Sequence, residues 1–85
     1  MEIKYTFKAL EDLTYWKKTN NIIILKKIRN LLENIITTPY QGIGKPEPLK
    51  YNLSGVWSRR IDKEHRLVYE VENDTVTILS LKGHY

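Results

Sequence analysis

Residues 56–81 read VWSRRIDKEHRLVYEVENDTVTILSL, and this stretch decides the fold. Three runs rich in β-branched and aromatic residues predict three strands, at 56–61, 65–72 and 76–81. The polar segment 62–64 predicts a turn, and Asn73-Asp74 predicts a two-residue hairpin. Strands joined by such short connections run antiparallel, so the stretch predicts a β-meander.

Helical periodicity dominates the sequence before this stretch. Ile3–Tyr5 predicts a short strand, and Thr6 is a suitable N-cap for a helix that follows it. Apolar residues recur every three positions from Phe7 to Trp16, which predicts one buried helix face. A second helix is predicted by apolar spacings of four and three residues, at Ile24, Ile28, Leu31 and Ile35.

The second predicted helix ends before Pro39, because the residue preceding a proline is disfavoured in the α region. Apolar alternation over 49–53 predicts a further strand. The sequence therefore predicts an α+β fold, a small antiparallel meander sheet with an N-terminal helical hairpin packed on one face. Trp16 and Trp57 are predicted in the core, with a partner interface as the alternative for Trp57.

Composition excludes several classes of function. The 85 residues are 41% hydrophobic and predict a single folded domain spanning residues 1–85. The absence of cysteine excludes a disulfide scaffold, a thiol nucleophile and a zinc site built on thiolates. With no signal-peptide pattern after Met1 and no membrane-spanning run, a cytoplasmic location is expected. The net charge of +4 suits nucleic acid or an acidic protein partner.

Candidate acids, bases and cations concentrate late in the chain. They are Lys45, Glu47, Lys50, Arg59, Arg60, His65, Arg66, His84 and Tyr85. RNA cleavage without a metal needs such groups: a base for the ribose 2′-OH, a cation for the phosphorane-like transition state, and an acid for the leaving 5′-oxygen. By composition alone this is weak support, since most small basic domains could supply such a set.

Each candidate also has a plain structural interpretation. Glu47 lies between two prolines, and is either a solvated loop carboxylate or a general base held by a stiff loop. Arg59, Arg60 and Arg66 form either an ordinary charged sheet surface or a phosphate site, and the adjacent pair must point to opposite faces. His84-Tyr85 is either a frayed end or an attached tail that offers an imidazole and a stacking ring. A structural role is predicted for His65.

A long central segment resembles one known family. Residues 44–61, GKPEPLKYNLSGVWSRRI, look like the signature of the YoeB (Txe) toxins of the RelE/ParE toxin superfamily. The resemblance continues through 64–69 to His84-Tyr85 and covers essentially the whole chain. It implies a RelE-like fold similar to microbial ribonucleases, and a ribosome-dependent endoribonuclease that cuts mRNA in the A site without a metal or other cofactor.

The resemblance also implies roles for individual residues. Glu47 corresponds to the general base, Arg66 to the transition-state stabiliser, and His84 to the general acid. Tyr85 corresponds to the residue that contacts the RNA base. The division of proton transfers between Glu47 and His84 stays open. Contacts with RNA or the ribosome are expected from the basic residues Lys45, Lys50, Arg59 and Arg60.

The resemblance further implies a YefM-type antitoxin, a ribosome carrying mRNA as target, and a toxin homodimer. The Ile-rich run 22–24 is a candidate for the dimer surface. Gly83 departs from relatives that often carry a bulkier residue, which leaves the geometry of the tail open. Two other functions remain: a ParE-like toxin that inhibits gyrase without cutting RNA, and a non-toxic RNA-binding module that inherited the same residues.

Overall fold

Two helices and a five-stranded sheet form the molecule, and the computed structural model describes residues 1–49 and 55–83. The elements in chain order are β1 (Glu2–Tyr5), α1 (Phe7–Lys18), α2 (Ile22–Thr37), β2 (Glu47–Pro48), β3 (Val56–Arg60), β4 (Arg66–Glu72) and β5 (Thr75–Ser80). The strands are ordered β1-β5-β4-β3-β2. The predicted α+β class is confirmed.

Strands β3 to β5 form the predicted antiparallel meander, and β2, which lies in a segment predicted as a loop, pairs antiparallel with β3. The turn between β4 and β5 falls at Asn73-Asp74, where Asn73 adopts the left-handed backbone (φ 55°) that asparagine tolerates. The sequence pattern did not predict the pairing of β1, which lies at the sheet edge and runs parallel to β5. A parallel pair needs a long connection, and the helices and the meander together supply it.

Helix α1 begins where predicted but buries a different stripe. The Thr6 hydroxyl accepts a hydrogen bond from Ala9 N at 3.1 Å, which confirms the N-cap. Phe7 is 77% exposed whereas Trp16 is 4% exposed, so the predicted stripe is wrong at its start. These two residues are nine positions apart and each position turns the helix by about 100°, which places them on opposite sides. The buried face instead carries Ala9, Asp12 and Trp16.

Helix α2 buries the predicted stripe, and the core lies between both helices and one sheet face. All four residues of that stripe are buried: Ile24, Ile28, Leu31 and Ile35. They pack in one cluster with sheet residues that include Leu67, Tyr69, Val76 and Ile78. Trp57 is half-buried against this cluster and also packs on Tyr40, with ring centroids 5.0 Å apart. One sheet face therefore packs on the helices to form this cluster.

The strand predicted over 49–53 falls largely on residues 50–54, which lie outside the described residues. In this region the structure describes the two-residue strand β2, followed by a hydrogen bond from Leu49 N to Val56 O at 2.8 Å. Within the described ranges, neither helix combines the length and apolar character needed to cross a membrane.

Candidate active site

Glu47, Ser58 and Arg66 share the sheet face opposite the helices. Glu47 is paired directly with Ser58, and directly paired residues point to the same face of a sheet. Arg66 Nη1 donates to Ser58 Oγ at 3.4 Å, so Ser58 adjoins both Glu47 and Arg66 on this face. Glu47 is exposed, Ser58 is buried, and Arg66 is half-buried. The fold thus places a candidate base and a candidate phosphate-binding cation on one surface.

Hydrogen bonds on both sides of Glu47 attach its strand to β3. Arg60 N donates to Gly44 O at 2.7 Å before Glu47, and Leu49 N donates to Val56 O at 2.8 Å after it. The prolines that flank Glu47 fix their own φ angles. The backbone position of Glu47 is therefore set before any substrate binds, which favours positioned catalysis.

Among residues 1–49 and 55–83, the guanidinium of Arg66 finds few hydrogen-bond partners. It carries five N–H donors. Among the described residues, its side chain makes the single bond to Ser58, and that bond is long. A phosphate could accept the remaining donors in a bidentate manner, which lysine geometry does not allow.

Arg59 lies on the other face, and the prediction that it contacts RNA is wrong. Its side chain is fully buried, so a backbone phosphate cannot reach it. Arg59 Nε donates to Tyr69 Oη at 3.2 Å. Its two terminal nitrogens donate to one side-chain oxygen and three backbone carbonyls, those of Asn34, Ile43, Thr38 and Gln41. All five donors are thus used, while Arg60 is exposed, as the predicted opposite orientation requires.

Tyr69 completes a network that we name the arginine cage, made of Arg59, Tyr69, Asn34 and the backbone of residues 38–43. The Tyr69 hydroxyl donates to Pro39 O at 2.6 Å. Burial raises the pKa of Tyr69, and the hydrogen bond and charge of Arg59 oppose that rise. The cage fixes the loop between α2 and β2, and therefore the point where Glu47 enters the sheet.

The C-terminal segment is fixed beside Arg66 up to Gly83. Arg66 N donates to Gly83 O at 2.8 Å, and Gly83 N donates to His65 Nδ1 at 2.9 Å. The His65 ring packs edge-on against Trp16, with ring centroids 4.8 Å apart. These contacts confirm the structural role predicted for His65. They also hold the residue that precedes His84 next to the candidate phosphate-binding cation.

Helix α1 attaches the same segment from the core side. Asp12 Oδ2 accepts a hydrogen bond from Leu81 N at 2.9 Å, and Trp16 Nε1 donates to Leu81 O at 2.9 Å. The Asp12 carboxylate is itself paired with Lys8, whose Nζ lies 2.7 Å from both oxygens. A buried carboxylate on α1 is therefore one determinant of where the chain end leaves the sheet.

Some predicted site residues are placed by the structure and others are not. Lys45 and Arg60 are exposed near the start of β2. Lys50, His84 and Tyr85 lie outside the described residues, and their predicted roles stay predictions. Within the described ranges, no three His, Asp or Glu side chains cluster closely enough to hold a metal ion.

Sequence reasoning missed the contribution of Ser58, Asp12 and Tyr69. Ser58 has no partner pattern along the sequence, but its pairing with Glu47 follows once the register of the two strands is known. Asp12 and Tyr69 stand at positions where an apolar residue would fit the periodicity equally well. Their partners Leu81 and Arg59 are 69 and 10 positions away, so no local pattern connects them.

Comparison with known proteins gives similarity to one group of toxins over the whole chain. The family described as "YoeB-like toxin of bacterial type II toxin-antitoxin system" matches residues 5–85. Toxin YoeB of Escherichia coli strain K12 is 47% identical over 85 residues, which is all of both chains.

Two solved structures from Staphylococcus aureus are similar to this chain. The YoeB dimer has a TM-score of 0.92 and 45% identity, covering 100% of this chain and 98% of that chain. The heterotetrameric YoeB–YefM toxin–antitoxin complex has a TM-score of 0.89 at 45% identity, with the same two coverages.

Proposed function

Because the chain belongs to the YoeB-like toxin family of bacterial type II toxin–antitoxin systems, we propose that it is a ribosome-dependent endoribonuclease that cuts mRNA in the A site. The observation that carries this proposal is the shared sheet face, on which Glu47 pairs with Ser58 and Ser58 accepts a hydrogen bond from Arg66. Such a toxin stops translation, and it acts in the cytoplasm, where ribosomes hold mRNA.

The proposed reaction is an intramolecular attack within the RNA backbone. Glu47 removes the proton from a ribose 2′-OH, and the 2′-oxygen then bonds to the adjacent phosphorus. The bond from phosphorus to the 5′-oxygen breaks, and His84 supplies a proton to that oxygen. The products are a 2′,3′-cyclic phosphate and a 5′-hydroxyl end, and no metal ion takes part in the step.

Arg66 stabilises the negative charge that develops on the phosphoryl oxygens during this attack. Charge-assisted hydrogen bonds at such oxygens strengthen in the transition state, and for this reason they accelerate the chemical step rather than substrate binding alone. Tyr85 stacks on an RNA base. The backbone and the ribosome are contacted by the basic residues Lys45, Lys50 and Arg60.

The proposed partners are a YefM-type antitoxin and a second copy of the chain. Support comes from the Staphylococcus aureus relatives, one of which is a YoeB dimer and another a YoeB–YefM heterotetramer. The exposed side chains of Ile22 and Ile23 are candidates for an apolar contact in the dimer.

Primer extension in a purified translation system tests this function. An mRNA is stalled on 70S ribosomes, and wild type, Glu47→Ala and Glu72→Ala are compared at equal concentrations. Glu72 is a matched control, because it is also an exposed glutamate on a strand. We expect discrete A-site cuts from wild type and Glu72→Ala, and none from Glu47→Ala or from reactions without ribosomes.

Two outcomes would contradict the proposal. Cutting by Glu47→Ala at the wild-type rate would show that Glu47 is not the general base. No cutting by folded wild type free of antitoxin would favour the ParE-like alternative, and inhibition of gyrase would then be the next assay.

A further inference from the structure

A cationic cavity lies where α2, the loop before β2 and the end of β3 meet. Its volume is about 400 Å³. Four basic side chains and one carboxylate line it, those of Lys27, Lys45, Arg60, Lys63 and Asp62. We name it the basic pocket. Its formal charge of +3 represents most of the net charge of the chain, and clustered charges of one sign repel each other unless an anion binds among them.

The cations of the basic pocket are not neutralised within the described part of the chain. There, the side chains of Lys27, Lys45, Arg60 and Lys63 take part in no hydrogen bond or ion pair. The Asp62 carboxylate is hydrogen-bonded within its own turn, because its Oδ1 accepts hydrogen bonds from Glu64 N at 2.8 Å and His65 N at 2.7 Å. The donors that line the pocket are therefore available to a ligand.

The backbone at the edge of the pocket adopts a special conformation. Gly44 and Lys45 both have positive φ, at 80° and 51°. A Cβ atom on Gly44 would lie 2.7 Å from Leu31 Cδ2 and 3.2 Å from Arg60 O, so only glycine fits there. For Lys45 the left-handed backbone costs about 1 kcal/mol, and the fixed geometry around it maintains that conformation. The position of Lys45 beside Arg60 is thus built into the fold.

One residue of the pocket, Arg60, also adjoins the candidate active site. Arg60 is paired with Arg66 across β3 and β4, and it lies two residues from Ser58 on the same strand. Two residues along a strand span about 7 Å. A polyanion bound at Arg66 would therefore have the basic pocket within reach of its neighbouring groups.

We propose that the basic pocket binds a phosphodiester of an RNA backbone, with Lys27 and Lys63 as the new contact residues. This inference rests on the proposed function for its choice of anion. The phosphodiester belongs either to the mRNA, next to the cleaved bond, or to ribosomal RNA. The carboxylates of an acidic protein partner are the competing ligand, but the pairing of Arg60 with Arg66 favours a chain of phosphates.

The salt dependence of binding tests the proposal. The double variant Lys27→Gln/Lys63→Gln is compared with wild type and with Lys17→Gln/Lys18→Gln. The second pair removes the same charge from exposed residues of α1. Dissociation constants are measured on 70S ribosomes stalled with mRNA, on vacant 70S ribosomes and on purified YefM-type antitoxin, across a series of salt concentrations.

We expect Lys27→Gln/Lys63→Gln to reduce the magnitude of the slope of log K against log salt on stalled ribosomes by about 0.7, the contribution of the one phosphate that the pocket neutralises. The α1 pair should keep the wild-type slope. A reduction confined to mRNA-loaded ribosomes identifies the mRNA backbone as ligand, and an equal reduction on vacant ribosomes identifies ribosomal RNA.

Two results would overturn the proposal. Equal slopes for the two double variants would mean that only overall charge matters. An unchanged ribosome slope with weakened antitoxin binding would assign the pocket to an acidic protein. Because binding is measured without cleavage, a wild type that binds ribosomes but cuts no mRNA would fail the proposed function and leave the pocket supported.

Discussion

Arg59 and Arg66 lie on neighbouring strands, yet their side chains differ in burial and in hydrogen bonding. In the arginine cage, every donor of Arg59 meets a neutral oxygen, and the side chain is fully buried. On the sheet face opposite the helices, which carries the candidate active site, Arg66 is half-buried and makes one long hydrogen bond to Ser58 among the described residues. The same type of side chain therefore holds a loop in place on one face, whereas on the other it has donors that no described residue of the chain uses.

The comparison separates stability from activity. A guanidinium whose hydrogen bonds are complete contributes to folding, because its removal leaves buried acceptors without donors. A guanidinium with free donors contributes little to folding and can act on a substrate. If this division holds, substitutions at the two arginines should affect different measurements.

The largest effect is expected on the cleavage rate, from a substitution of Arg66 in the candidate active site. Arg66→Gln should lower the rate of mRNA cleavage on stalled ribosomes by about 10² to 10³, as the loss of one transition-state donor does in other enzymes. Its urea unfolding midpoint should stay near wild type. Arg29→Gln, an exposed arginine on α2, is the matched control and should cut normally. Cleavage at the wild-type rate by folded Arg66→Gln would contradict the assignment of Arg66 to catalysis.

The next largest effect is expected in the arginine cage. Arg59→Met should lower the free energy of unfolding by about 3 kcal/mol, since several buried oxygens lose their donors at about 1 kcal/mol or more each. Arg59→Lys should be intermediate, because an ammonium keeps the charge but has three donors in place of five. Urea denaturation measures both variants.

Arg60→Met is the control for this second prediction. Arg60 is next to Arg59 in sequence but exposed, so its loss should change the unfolding midpoint little. Equal destabilisation by Arg59→Met and Arg60→Met would mean that the cage contributes nothing specific to folding.

The sequence predicted the two arginine orientations relative to each other but not in absolute terms. Strand alternation requires Arg59 and Arg60 to point to opposite faces. Which of them points inward depends on Asn34 and the carbonyls of residues 38–43, which surround Arg59 in the folded chain. The RNA contact expected of Arg59 was wrong because these oxygens, which no local sequence pattern connects to Arg59, use its donors in the interior.

Apolar periodicity predicted the buried face correctly in α2 and only partly in α1. The spacing of α2 alternates between four and three residues and follows the helix turn, and its predicted stripe is buried. The constant spacing of three in α1 drifts around the helix, so Phe7 and Leu10 are exposed. Residue types and local spacing thus identified both helices and strands β3 to β5, whereas the roles of the candidate site residues were implied by the family resemblance. Long-range pairings such as Asp12 with Leu81 depend on the assembled fold.

The smallest expected effect is on the pH dependence of stability, through the ionisation of Tyr69 in the arginine cage. Burial raises the pKa of Tyr69 above its ordinary value of 10.0, which means that the folded state retains this proton at a pH where the unfolded chain releases it. Its contribution to stability is therefore complete below pH 10 and is lost as pH rises through the raised pKa. Tyr69→Phe should lose about 1 kcal/mol near neutral pH, because the hydrogen bond to Pro39 is gone.

Urea midpoints measured from neutral to strongly alkaline pH test this sign. Wild type should lose stability more steeply above pH 10 than Tyr69→Phe does, because the phenylalanine carries no proton to release. Tyr5→Phe, which removes an exposed hydroxyl, should keep the wild-type slope. Parallel alkaline slopes for wild type and Tyr69→Phe would mean that the phenol ionises equally well in the cage and in water. The arginine cage would then be open to solvent, and the contrast between Arg59 and Arg66 would lose its physical basis.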